Sequence, residues 1–144
     1  MTIYFLSTQS LLDVISGNAK IHEWLTGISL QQIEISAVSV GQALATIQQN
    51  SNGAVRNSFE RQLEKLVTTV RSTQGVIPFD EDAARIWADL EARSLEYRMP
   101  DDSVPELSLA SRMVVATALL HEATLVESPQ PYHAAIAGLH VVSP

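Results

Sequence analysis

The chain contains no cysteine, which removes disulfides, thiolate metal sites and cysteine nucleophiles in one stroke. Basic residues are also scarce: nine Lys and Arg stand against sixteen Asp and Glu, for a formal net charge of −7. Affinity for nucleic acid comes mostly from cations that displace counterions from phosphates, so RNA or DNA binding is not expected of this balance. No apolar run reaches the roughly 20 residues that a membrane-spanning helix needs. The amino terminus lacks the basic start and the cleavage site of a secretion signal, and a cytoplasmic protein without membrane contact is the expectation. The motifs GxSxG, HExxH and a Gly-rich phosphate loop are missing as well, which leaves ester hydrolysis, zinc proteolysis and nucleotide hydrolysis without support.

What is present is a well-filled core. Of 144 residues, 46% are hydrophobic and 17% charged, enough for one domain spanning 1–144 and too little for two. Short apolar runs alternate with helical patterns. The runs at 3–6, 33–36, 76–79, 124–127 and 139–143 read as strands. Helices are expected over LLDVI and AKIHEWL, with a break at Ser16, Gly17 and Asn18, then over AVSVGQALATIQQ, 54–71, 80–98 and the stretch from Glu106 to Ala123. On the fourth of these Phe59, Leu63, Leu66, Val67 and Val70 share one side. Capping boxes are expected at Ser39 to Gln42 and at Ser103 to Glu106, and Asp80 is placed to cap the helix that follows it. Such alternation calls for a parallel sheet covered on both faces.

One feature stands out at the end of the first strand. In FLSTQSLL the apolar run stops at Ser7 and passes through Thr8, Gln9 and Ser10 into a helix that the pattern starts near Gln9 or Leu11. The carboxyl end of a buried strand in an α/β protein is where chemistry usually sits. Ser7 and Thr8 can simply cap that helix, or they can offer neutral donors to an anion at its first turn. The histidines His22, His121, His133 and His140 lack the i, i+4 spacing of a helical zinc pair, no acidic relay is expected beside them, and they are read as surface or structural residues.

YFLSTQSLLDVI, ISAVSVGQALATI, IPFDEDAARIWADLEA and MVVATALLHEATLV leading to LHVVSP stand in one order over nearly the whole length. In this arrangement the chain resembles the PIN-domain family, specifically the VapC-like toxins of toxin–antitoxin pairs. The resemblance implies a three-layer α/β/α sandwich around a parallel five-stranded sheet, a homodimer, and a small antitoxin as partner. It also implies Mg²⁺- or Mn²⁺-dependent cleavage of RNA by three or four convergent acids, since a hard dication takes oxygen ligands and needs carboxylates to compete with its hydration shell. At the positions where the family carries those acids this chain has Ser7, Gln42, Ser111 and Tyr132. Each also has an ordinary structural account: Ser7 as a cap, Gln42 in the capping box with Ser39, Ser111 as a small packing residue, Tyr132 as a half-buried ring. Thr8 and Glu127 are the remaining polar residues expected at the same place, Glu127 at the end of the fourth strand. Asp13 and Glu106 lie five or six residues from the vacated positions, off their helix faces.

With the acids gone, no metal and no other cofactor is expected, no residue is assigned as catalytic, and the reading is a degenerate PIN-like protein kept for binding itself or an antitoxin-like partner. The alternative from the enzyme class is an active ribonuclease toxin whose Mg²⁺ or Mn²⁺ is held by rearranged acids such as Glu127 and Asp13.

Overall fold

The computed structural model describes residues 1–73, 75–93 and 107–144. Its elements follow the alternating pattern: β1 (Tyr4–Leu6), α1 (Thr8–Ser16), α2 (Ala19–Leu25), β2 (Ile33–Ser36), α3 (Ala37–Gln48), α4 (Gly53–Arg71), β3 (Val76–Ile77), α5 (Glu81–Arg93), α6 (Leu109–Leu120), β4 (Thr124–Val126) and β5 (His140–Val142). Short 3-10 helices occupy Leu30–Gln32 and Pro131–Ala135. The five strands form one sheet in the order β3-β2-β1-β4-β5, and every pairing is parallel.

Because successive strand residues point to opposite faces, each strand feeds two cores. Leu6, Ile33, Ile35 and Val126 pack with Leu11 and Ile15 of α1, Ala43 and Ile47 of α3, and Leu63, Val67 and Val70 of α4. On the other face Phe5 and Leu125 pack with Val114, Val115 and Ala118 of α6, with Leu90 of α5 against them. This is the three-layer α/β/α arrangement with a parallel five-stranded sheet. Phe5, Leu11 and Ile35 are wholly inaccessible, and burying an apolar side chain of that size is worth about 1.5–3 kcal/mol.

Several boundaries differ from the expectations, for local reasons. α1 begins at Thr8, because Ser7 itself is the cap: its hydroxyl oxygen accepts the Ser10 N–H at 3.1 Å. Gly17, at φ 81°, ends α1 in the left-handed region and Asn18 restarts the chain as the cap of α2. The capping box at Ser39 to Gln42 does not form. Strand β2 runs straight into α3, Ser36 accepts the Val38 N–H at 3.0 Å, and Ser39 and Gln42 fall inside the helix. β3 is only two residues long, since Pro78 has no N–H for a ladder. Asp80 does cap α5 as expected, its carboxylate accepting the Ala83 N–H at 3.0 Å. The cap of α6 is Ser108; the box expected at Ser103 to Glu106, with the end of the 80–98 helix, lies outside the described residues.

Candidate functional site

β1 and β4 are neighbours in the sheet, and the chain connects onward from them in opposite directions along it: from β1 to β2, and from β4 to β5. Such a switch point leaves a crevice at the carboxyl ends of the strands, where ligands of open α/β sheets sit. A pocket of about 200 Å³ opens there. Ser7 enters it from the residue after β1, Thr8 and Gln9 from the first turn of α1, Gln42 from the second turn of α3, Ser111 from the first turn of α6, Glu127 from the residue after β4, and Tyr132 from the 3-10 helix before β5. Leu12, Val114, Val115 and Leu125 supply its apolar wall. Residues up to 125 positions apart in sequence, Ser7 and Tyr132, therefore share one cavity.

The polar groups in this pocket are already engaged with one another. The Thr8 hydroxyl donates to Gln42 Oε1 at 2.6 Å, and Ser39 Oγ lies 3.0 Å from the same hydroxyl oxygen. Ser7 is buried; besides capping α1 it lies 3.2 Å from Ser10 Oγ, which in turn donates to the Val126 carbonyl at 2.6 Å. Ser108 caps α6 on the Ser111 N–H, and its own hydroxyl donates to Ser111 Oγ at 2.8 Å. Among the described residues Glu127 is the single carboxylate of the lining. Its Oε2 accepts from His133 Nε2 at 2.8 Å, with the Tyr132 hydroxyl more loosely placed at 3.5 Å. Burial, then the charge of Glu127, then that hydrogen bond hold the Tyr132 phenol well above the usual tyrosine range, so it stays protonated.

His133 corrects the sequence reading that gave the histidines no acidic partner. It is 6% exposed and its ring is the donor that fixes Glu127. The 3-10 helix folds the chain back over six residues, a separation that no helical or strand spacing rule inspects. Asp13 takes no part in the pocket lining; its carboxylate accepts from Gln9 Nε2 on the outside of α1. Glu106 lies outside the described residues. A second acid that the sequence reading passed over is Glu34, 7% exposed in the middle of β2. Its register partner is Phe5, so it faces the α5–α6 layer and not the pocket. Burial pushes its carboxyl above the ordinary value of 4.5, with His121 pulling the other way.

No family model matches the chain. A curated relative does: Toxin FitB of Neisseria gonorrhoeae is 24% identical over 108 residues, which is 75% of this chain and 73% of the relative. The fold superposes on the crystal structure of FitAcB from Neisseria gonorrhoeae with a TM-score of 0.78 and 22% identity, covering 96% of both chains. It superposes equally, at a TM-score of 0.78 but 14% identity, on VapBC2 from Rickettsia felis bound to a DNA fragment from its promoter, covering 99% of this chain and 98% of that one. The chain has the PIN-like fold of these structures.

Within this PIN-like fold, the donor set bears on the Mg²⁺ or Mn²⁺ that the resemblance implies. A hard dication needs charged oxygens to replace its water. Among the described residues the pocket offers one carboxylate, half of which is spent on His133, and a Gln42 carbonyl oxygen spent on Thr8. Among the described residues no group of three or more His, Cys, Asp or Glu side chains is gathered as a metal would need. These residues do not fit the ion. No described helix is long and apolar enough to cross a membrane.

Proposed function

We propose that this chain is a toxin–antitoxin PIN domain that has lost hydrolysis and kept binding, with a small antitoxin-like protein and a second copy of itself as its partners. The observation that carries the reading is the composition of one pocket: Ser7, Gln42, Ser111 and Tyr132 line the cavity at the switch point, with Glu127 as its single carboxylate among the described residues. At roughly neutral charge such a pocket has little with which to hold a dication, because Coulomb attraction falls with each carboxylate removed. The partner half of the reading is supported by proteins of the same fold, one named a toxin, one solved as a toxin–antitoxin complex and one as a member of the VapBC family of toxin–antitoxin systems.

A surface suited to a partner helix lies away from the pocket. An open groove of about 800 Å³ runs between α3 and α4, floored by Val40, Leu63 and Val67 and edged by Glu60 and Arg61. Leu44 stands in it 37% exposed. An amphipathic helix binds such a groove through apolar anchors at i, i+3 and i+4. In this reading the protein acts in the cytoplasm, binds no RNA tightly, and takes no cofactor.

The test has two arms. Purified protein incubated with single-stranded and structured RNA in Mg²⁺ and in Mn²⁺ is expected to leave the RNA intact; cleavage that vanishes in the Glu127→Gln variant would overturn the loss of hydrolysis. Co-expression with the product of a small adjacent open reading frame is expected to yield a stable complex. A chain that stays monomeric and alone under those conditions would overturn the partner assignment.

A further inference from the structure

The turn between α3 and α4 runs Asn50, Ser51, Asn52, Gly53, and its chemistry belongs to neither the pocket nor the groove. Asn52 caps α4: its Oδ1 accepts the N–H groups of Ala54 and Val55, both at 3.1 Å. These two donors stand just past Gly53, so they hold the Asn52 carboxamide over the peptide bond that joins Asn52 to Gly53. Gly53 is the first residue of α4, where a backbone N–H has no carbonyl of a preceding turn to bond, and among the described residues that N–H makes no hydrogen bond. Asn52 is exposed to water, and Gly53 brings no Cβ to crowd its nitrogen. Asn18 offers an internal comparison: it caps α2 in the same way, accepting the N–H groups of Lys20 at 3.0 Å and Ile21 at 3.2 Å, but the residue after it is Ala19.

We propose that Asn52–Gly53 is a site of covalent self-modification, at which the folded chain converts this Asn through a cyclic imide into aspartyl and isoaspartyl forms. The Gly53 nitrogen attacks Cγ of Asn52. A N–Cγ bond forms, the Cγ–Nδ2 bond breaks, and ammonia leaves with the proton that the Gly53 amide gives up. Water then adds to one of the two imide carbonyls: opening at Cγ restores the ordinary peptide with an aspartyl side chain, and opening at the main-chain carbonyl leaves the isoaspartyl link. No oxidant or reductant enters. Two features of the fold favour the attack. The reacting atoms are held together in one residue pair, which removes the cost of bringing them into contact. Negative charge develops on Oδ1 as the nitrogen adds, and the Ala54 and Val55 N–H groups already point at that oxygen, as the donors of an oxyanion hole do.

The two products differ in what they do to α4. The aspartyl form keeps an acceptor at the cap and adds a negative charge at a helix N-terminus, where the macrodipole favours it. Arg56 is the cation at hand: its Nη2 lies 3.6 Å from the point where a Cβ on Gly53 would stand, and its Nη1 donates to the Asn50 carbonyl at 3.2 Å. The isoaspartyl form lengthens the main chain by one carbon and takes the side-chain oxygen away from the cap, which loosens the first turn. Ala54 and Asn57 of that end of α4 line the groove between α3 and α4, so the modification changes the surface offered there. The reaction itself rests neither on a partner in that groove nor on the loss of hydrolysis.

The test incubates the purified full chain, folded and in urea, at mildly alkaline pH in heavy-oxygen water, and follows Asn18, Asn50, Asn52 and Asn57 by peptide mass mapping. In the folded chain the peptide holding Asn52 is expected to take up the heavy oxygen and to separate into aspartyl and isoaspartyl forms, while the other three asparagines stay intact over the same interval. A Cβ at position 53 makes only ordinary contact with Arg56, so Gly53→Ala should fold as the native chain does and slow the reaction about tenfold, equivalent to about 1.4 kcal/mol of barrier. In the isoaspartyl fraction the amides of Ala54 and Val55, deprived of Oδ1, should exchange with solvent faster by about tenfold, the effect of losing one hydrogen bond. Conversion of Asn52 in urea alone would show that the cap protects this residue and would overturn the proposal. An equal rate at Asn18, an unchanged rate in Gly53→Ala, or unchanged exchange at Ala54 and Val55 would overturn it as well. None of these results bears on the metal, RNA or complex-formation measurements, so the two readings fall separately.

Discussion

The Thr8 hydroxyl of α1 meets Gln42 Oε1 of α3 at 2.6 Å across the mouth of the pocket. In an acid-lined site two facing carboxylates would repel and would need a cation between them; here a neutral donor and a neutral acceptor close the same gap directly. The consequence is a direct side-chain link between α1 and α3 at the strand ends. Replacing Thr8 by Val keeps the shape, removes the donor and leaves the Gln42 carbonyl oxygen short of a partner. The expected cost is about 1 kcal/mol, read as a lower urea midpoint with unchanged slope, and as a melting temperature lower by roughly 2–4 °C.

Melting of the native chain should be insensitive to millimolar Mg²⁺ or Mn²⁺. The triple variant Ser7→Asp, Gln42→Glu, Ser111→Asp brings three carboxylates to the pocket that Glu127 already lines. Without metal it should be less stable than the native chain, from like-charge repulsion. With metal at a hundredfold excess over its Kd it should regain about 2.7 kcal/mol. Differential scanning calorimetry with and without Mn²⁺ checks both halves. No gain on adding metal would mean that the three positions do not surround one site.

Ser7 acts as a cap, and Ser7→Ala should destabilise the domain by about 1 kcal/mol, within the 0.5–2 kcal/mol span of lost N-caps. Ser7→Asp retains an acceptor for the Ser10 N–H and should recover most of that loss in denaturant titrations. Equal damage from both substitutions would show that burial of the hydroxyl, and not capping, is what matters there.

Glu34 makes stability depend on pH. Its folded carboxyl is raised by burial, so the folded chain holds that proton more tightly than the unfolded one. The stabilisation this gives is complete below the ordinary value of 4.5 and is lost as pH rises through the raised folded value. Above that raised value an ionised carboxylate is left in the core with Oε2 unpartnered. Glu34→Gln should therefore raise the urea midpoint at pH 7, by on the order of 1 kcal/mol, and the advantage should disappear at about pH 4, below the range in which the carboxyl ionises. A gain of the same size at both pH values would exclude charge as the cause.

Strand and helix order was legible in the sequence because each short run answers to its own period: Leu6, Ile33 and Val126 had to be buried whatever surrounded them, and Gly17 had to break α1 from α2. The resemblance to VapC-like PIN domains was legible for the same reason, since it rests on segments in a fixed order. Which Ser caps which helix was less so. Ser36 and Ser39 are three residues apart on one strand–helix junction, and only the length of β2 decides which of them meets the first free N–H groups.

The chain by itself determined that carboxylates are missing at positions 7, 42, 111 and 132, because charge is a property of composition and no fold can supply it. Tertiary structure alone decided that these four positions share a cavity, that Thr8 reaches Gln42, and that His133 turns back onto Glu127. Those contacts join residues brought together by the sheet order and by a 3-10 turn, and a hydrogen bond between distant residues leaves no periodic trace in the sequence.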